Sequence, residues 1–90
     1  MPPVAAPRAS GLKDGGISFA VSRIQQLPVP VLGELSPAER RVLVFICAGY
    51  SNKEIAAELG RAEPTIKHQV SACLRKMGQP SRARLIASLH

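Results

Sequence analysis

The stretch Gly49–Met77, GYSNKEIAAELGRAEPTIKHQVSACLRKM, constrains this chain more than any other: it reads as two helices joined by a tight turn. From Ile66 onward the apolar residues recur as Ile66, Val70, Cys73, Leu74 and Met77. At about 100° per residue these fall on one stripe, the pattern of a helix packed on a core. Pro64, Lys67, His68, Ser71 and Arg75 fall on the other side. That front carries several hydrogen-bond donors and little acid, the chemistry suited to the acceptor-rich base edges of a major groove. Helical spacing of charges alone would equally fit a plain solvated face.

The residues ahead of this helix separate the two alternatives. Ser51 and Glu54 have the spacing of a capping box, so a short helix starts there, and Gly60 stands where it must stop. A short Gly-containing turn between two helices is the helix-turn-helix signature, with the second helix as the reader.

Charge agrees with that polarity. Twelve Lys and Arg against six Asp and Glu give +6. Residues 61–90 hold Arg61, Lys67, Arg75, Lys76, Arg82 and Arg84 against Glu63, a surplus of five. Positive charge gathered around a reading helix favours a polyanion, and DNA is the first candidate. Basicity by itself would also fit a ribosomal protein or a membrane-surface segment. Aromatic residues make up only 3% and Trp is absent, so the core is expected to be built from Leu, Ile, Val and Ala.

Ninety residues allow one small domain and a tail. Residues 1–33 read as an N-terminal tail and linker, and 34–90 as the compact domain. Met1–Gly16 is rich in Pro, Ala and Gly without helical period, and is expected to be a disordered tail or linker. Over 17–27, Ile17, Ala20, Val21, Ile24 and Leu27 share one face of a short amphipathic helix, with a strand as the alternative. Its apolar side needs a partner, whether this domain, a second copy or another molecule. Pro28 and Pro30 end it, and PVPVLG reads as an extended connector.

Four helices follow. Ser36-Pro37-Ala38-Glu39 supplies a cap, Pro at the first helical position and Glu at the third, so the first starts sharply. Its core stripe is Val42, Leu43, Ile46 and Cys47, and Gly49 stops it. The second, about Asn52–Leu59, buries Ile55, Ala56 and Leu59; the third begins near Glu63. Gly78-Gln79-Pro80 breaks the chain, Ser81 caps, and Arg82–His90 forms a fourth helix with Leu85, Ile86 and Leu89. The fold class is therefore all-α: a small four-helix helix-turn-helix domain behind a partly disordered tail.

SNKEIA, then LG, then TIKHQVSACLRKMG, then SR resemble the DNA-binding domain of LuxR-type regulators, also found as the output domain of NarL/FixJ response regulators. The resemblance runs from about Leu35 to the C-terminus. It implies base or adjacent backbone contacts at Lys67, His68 and Ser71, of which Lys67 matches the usual family residue and the other two stand at variable positions. Lys67 could donate to guanine O6 and N7, and His68 and Ser71 to purine acceptors. Ser51, Asn52, Lys53, Thr65, Arg75 and Lys76 are better placed for phosphates, the helix start at Ser51–Lys53 adding backbone N–H groups. Lys76 has a rival role, covering apolar surface with its stem. The resemblance also implies a dimer contact on the last helix, where Ala83, Ile86 and Ala87 exceed what one core stripe needs.

Three positions depart from the family pattern. Ala62 replaces the usual Ser cap of the reading helix, at a cost of about 1 kcal/mol. Pro64, in the first turn, partly offsets this through its preset φ. Gln69 stands where His is common. A receiver domain would need a longer chain and a cluster of Asp, whereas the only Asp is Asp14. Any phosphorylation or small-ligand switch is therefore expected outside these residues, or not at all.

The function expected is a sequence-specific, duplex-DNA-binding transcriptional regulator, or the DNA-binding domain of one, paired as a homodimer on DNA. RNA polymerase is a further candidate partner. The alternative is an interaction module, the same fold binding a polymerase subunit or another regulator; a sigma-factor C-terminal region fits SNKEIA less well. No catalytic residue, metal site or cofactor is expected. His68 and His90 have no carboxylate or nucleophile at a helical offset, and Cys47 and Cys73 lack metal-ligand spacing and read as buried core thiols. No run approaches a membrane span and no signal-peptide layout appears, so a cytoplasmic protein is expected.

Overall fold

The starts of two helices and the ends of two are marked by residues whose chemistry suits a helix end. The computed structural model describes residues 12–89, with side chains from residue 16. Six helices run in order: α1 (Leu12–Gln25), α2 (Val29–Glu34), α3 (Pro37–Cys47), α4 (Asn52–Leu59), α5 (Glu63–Met77) and α6 (Arg82–Leu89). No strand occurs among the described residues.

α3 and α4 begin with matching capping boxes. Ser36 Oγ accepts from the Glu39 N–H at 3.1 Å while the Ser36 N–H donates to Glu39 Oε1 at 2.9 Å. Ser51 and Glu54 repeat the same pair of bonds at the same distances. Two of the N–H groups orphaned at each helix start are thereby satisfied. α4 ends at Gly60, held left-handed at φ 64° and ψ 39°. A Cβ there would meet no atom within 4 Å, so glycine is demanded by the backbone and not by crowding. α5 closes in the same way at Gly78, and the Gln79 N–H returns to the Leu74 carbonyl at 2.9 Å.

The faces turned inward are mostly those the periodicity marked. Val42, Leu43, Ile46 and Cys47 of α3 are buried, with Ile55 and Ala56 of α4, Ile66, Val70 and Cys73 of α5, and Leu85 and Leu89 of α6. Leu59, Leu74, Met77 and Ile86 sit at its margin, partly buried against it. α3 is the central helix: α1, α5 and α6 all pack on it, and α4 packs on α5. Tyr50, between α3 and α4, is buried with its ring edge-on to Phe45 at 4.8 Å between centroids.

The all-helical class stands, but two helices precede the four read from sequence. The first is longer and earlier than 17–27, starting at Leu12 and running through Gly15 and Gly16. Gly16 and Ala20 are buried, and packing on α3 outweighs the low helix propensity of glycine. Ile24 is buried as well, and Ile17 and Leu27 lie against the core, so this apolar side is covered by the chain's own domain. The expected disorder of Met1–Gly16 falls, for residues 1–11, outside the described residues, as does His90. The expected extended connector PVPVLG is instead α2. Pro28 caps it in extended geometry (φ −56°, ψ 143°), and Pro30 falls in the first turn, where its missing N–H leaves no bond unmade. Val31 and Leu32 N–H groups both return to the Pro28 carbonyl, and Arg40 Nη2 donates to the Leu32 carbonyl at 2.7 Å.

Candidate nucleic-acid interface

α5 puts its two faces to opposite uses. Ile66, Val70 and Cys73 are buried, while Thr65, Lys67, His68, Ser71 and Arg75 are exposed. Pro64, Lys67, His68 and Ser71 together line one shallow concavity in the front of the helix, over its N-terminal half. An ammonium, an imidazole and a hydroxyl thus converge around a proline that offers no N–H of its own, a donor-rich surface of small depth. Gln69 is half-buried and lies outside that group.

The start of α5 is open. Ala62 holds the extended cap geometry (φ −71°, ψ 146°) but has no side chain to bond the first turn, and Glu63 supplies its acidic complement. The Thr65 and Ile66 N–H groups reach back to the Ala62 carbonyl at 3.1 and 3.2 Å.

The expected phosphate residues do not form one group. Ser51, Asn52 and Lys53 stand together at the N-terminus of α4, with Lys53 exposed. The Ser51 hydroxyl oxygen accepts from Glu54, which leaves its own hydrogen as a donor. Thr65 and Arg75 are exposed on α5, one in the first turn and one in the last. Lys76 differs: its Nζ lies 2.8 Å from Glu39 Oε1, an ion pair joining the end of α5 to the start of α3. That hydrogen bond, together with the one from the Ser36 N–H, holds the Glu39 carboxyl below the usual glutamate range.

Arg82 has a role that the sequence, which offers it as charge, as part of the SR pair and as the start of the last helix, does not show. Its guanidinium is half-buried and donates through Nη1 to Asn52 Oδ1 and through Nη2 to the Tyr50 carbonyl. Burial pushes its pKa below the ordinary arginine value. The signal available was the SR pair after Pro80, at the start of a helix that needs no interior cation. On α6 itself, Ala83 and Ala87 are exposed and Ile86 is half-buried, while Leu85 and Leu89 are in the core.

Neither thiol has the character of a ligand or nucleophile. Burial pushes Cys47 up to about 11 and Cys73 up to about 12, so both stay protonated at neutral pH. Among the described residues no three His, Cys, Asp or Glu side chains gather as a metal would require. No described helix is long and apolar enough to cross a membrane.

Residues 33–89 match a family described as bacterial regulatory proteins, luxR family. The chain is 40% identical over 60 residues to the two-component response regulator PprB of Pseudomonas aeruginosa, covering 67% of this chain and 22% of that protein. It is 40% identical over 73 residues to the probable transcriptional regulatory protein NarL of Mycobacterium tuberculosis, covering 81% and 32%. It is 37% identical over 59 residues to the nitrate/nitrite response regulator protein NarL of Escherichia coli, covering 66% and 27%. The chain thus spans a third or less of the length of these relatives. No solved structure gives a significant match.

Proposed function

This chain belongs to the luxR family of bacterial regulatory proteins, and from that premise we propose that it is a cytoplasmic transcriptional regulator that reads duplex DNA by laying α5 in the major groove. The family is one of DNA-binding regulators and not of enzymes, and several relatives are response regulators by name. The observation that carries the reading is the concavity of Pro64, Lys67, His68 and Ser71 on the outer face of a helix whose inner face is core. Lys67 donates to guanine, and His68 and Ser71 to neighbouring acceptors. The N-terminus of α4, with Ser51, Asn52 and Lys53, grips the backbone on one side, and Thr65 and Arg75 on the other. Lys76, engaged with Glu39, contributes charge at longer range.

One such helix contacts only a few base pairs, so two copies pair on an inverted repeat through Ala83, Ile86 and Ala87 of α6. Their reading helices then sit about 34 Å apart, one turn of DNA. The interaction-module alternative rests on the apolar side of Ile17–Leu27 and on the weakened cap at Ala62. Ala20 and Ile24 of that segment are buried within this domain, which removes its main support. Selection of bound sequences from a random duplex pool tests the proposal: an enriched inverted repeat is expected, and recovery of no motif at any salt concentration would overturn it.

A further inference from the structure

Arg82 stands at the first position of α6, yet its guanidinium bonds to the start of α4. It donates to Asn52 Oδ1 and to the Tyr50 carbonyl, which flank Ser51, the capping residue of α4. An arginine that only served solubility would point its charge into water. This one is half-buried, and its two bonds reach across 30 and 32 residues.

The chemistry of the pair fixes a direction. Guanidinium is a donor only, so the Asn52 amide must present its oxygen to Arg82. The amide nitrogen, with its two hydrogens, is then left for another partner. Asn52 is the first residue of α4, beside the exposed Lys53 and next to the Ser51 cap. Without the guanidinium, the amide would be free to flip and offer its oxygen outward, where an anionic phosphate would repel it.

We propose that Arg82 is a positioning residue for DNA binding, which holds Asn52 with its oxygen inward and so presents the amide N–H groups to a backbone phosphate at the start of α4. The inference rests on the DNA-binding reading above and deepens it. Arg82 touches no phosphate; it acts through Asn52. Its bond to the Tyr50 carbonyl anchors the same guanidinium to the chain just ahead of the cap, so the orienting group is itself held at two points. α6 and the phosphate-facing end of α4 are thereby one mechanical unit.

The test compares the full chain with Arg82→Gln, Asn52→Ala, the double variant and Asn52→Asp. Affinity for a selected operator and for a non-cognate duplex is measured by fluorescence anisotropy over a range of salt, with urea unfolding in parallel. Arg82→Gln is expected to weaken both duplexes alike, by about 3- to 10-fold, as loss of one oriented hydrogen bond should. The slope of log affinity against log salt should stay at the wild-type value, whereas loss of a direct cation–phosphate contact lowers it by about one. Asn52→Ala should weaken binding by a similar factor, and the double variant by no more than either single one. Asn52→Asp keeps the acceptor for Arg82, so its urea midpoint should match or exceed wild type. Its second oxygen faces the phosphate, so binding should fall more than about 10-fold.

A salt slope reduced in Arg82→Gln would make Arg82 a direct contact and overturn the proposal. So would additive effects in the double variant, wild-type binding by Asn52→Asp, or an Arg82→Gln that is less stable but binds normally once folded. Should Arg82→Gln fail to fold, the two Asn52 variants decide alone. A wild-type chain that binds no duplex at any salt concentration would sink the DNA-binding reading itself, a result distinct from all of these.

Discussion

Arg23 Nε donates to the carbonyl oxygen of Leu89 at 2.7 Å, so the first helix closes the open end of the last, 66 positions away. Leu89 is the final residue of α6, where carbonyls lack intrahelical partners and a cation is favoured by the helix dipole. Replacing Arg23 by Leu should therefore cost about 1–2 kcal/mol of unfolding free energy, since a charged donor is lost from a partly buried acceptor. Urea denaturation at neutral pH measures it, with DNA affinity of the folded variant unchanged.

A second expectation concerns the helix starts. Ala62 already holds cap dihedrals but offers no oxygen. Ala62→Ser should thus gain about 0.5–1 kcal/mol, the new hydroxyl accepting from the Thr65 N–H, because Pro64 has none to give. Ser51→Ala, which dismantles a formed capping box, should lose about 1 kcal/mol. Thermal unfolding of the two variants should move in opposite directions.

Lys67 and Lys53 are both exposed lysines, one in the concavity of α5 and one at the start of α4. Lys67→Ala should cost about 1–3 kcal/mol of operator binding and relax base preference at one position. Lys53→Ala should weaken all duplexes alike and lower the salt slope by about one. Repeating the pool selection with each variant separates the two roles.

The Glu39–Lys76 pair predicts a pH response. The Glu39 pKa is lowered in the folded chain, so the unfolded chain binds the proton more readily. Its contribution is therefore complete above the ordinary glutamate pKa and is lost as pH falls through the lower, folded value. The pair is partly solvated, so the loss should be about 0.5–1 kcal/mol. Glu39→Gln keeps a capping-box residue at that position and should flatten this part of the stability–pH curve. An acid limb unchanged from wild type would assign it to other carboxyls.

Pairing on DNA can be tested without touching the core. Ala87 is exposed on α6, whereas Ile86 packs partly against the core, so a charge is cleaner at Ala87. Ala87→Glu should abolish cooperative binding to a duplex with two half-sites, leave single half-site affinity within about 2-fold, and leave the urea midpoint unaltered. Cooperativity that survives in the variant moves the contact to another surface.

How far the sequence spoke depends on whether a residue's role is local. Ser36 with Glu39, Ser51 with Glu54, Gly60 and Gly78 act on their own helix ends, and their positions alone located α3, α4 and α5. The front of α5 was legible for the same reason: Lys67, His68 and Ser71 follow from helical period once Ile66, Val70 and Cys73 are core. What escaped was decided at long range. Gly16 lies in a helix because α3 gives it a surface to pack on, and no local propensity says so. Arg82 on Asn52, and Lys76 on Glu39, join residues 30 and 37 apart, and a single sequence shows such pairs only as scattered charges. α2 was missed because two prolines read as a barrier to helix, although both fall where a helix tolerates them.

The left-handed backbone at Gly60 has a consequence for how such a reader can change its target. The turn between α4 and α5 is set by that main-chain torsion and by the core contacts of the two helices, Ile55 and Ala56 with Ile66 and Val70, none of which lies on the exposed front of α5. On the proposed reading, the frame and the residues it displays are thus separate inheritances. Lys67, His68 and Ser71 lie outside the core, so each can be exchanged while the frame that presents them keeps its shape. On that reading, a lineage can change its target by single exchanges on this face while the buried core stays as it is.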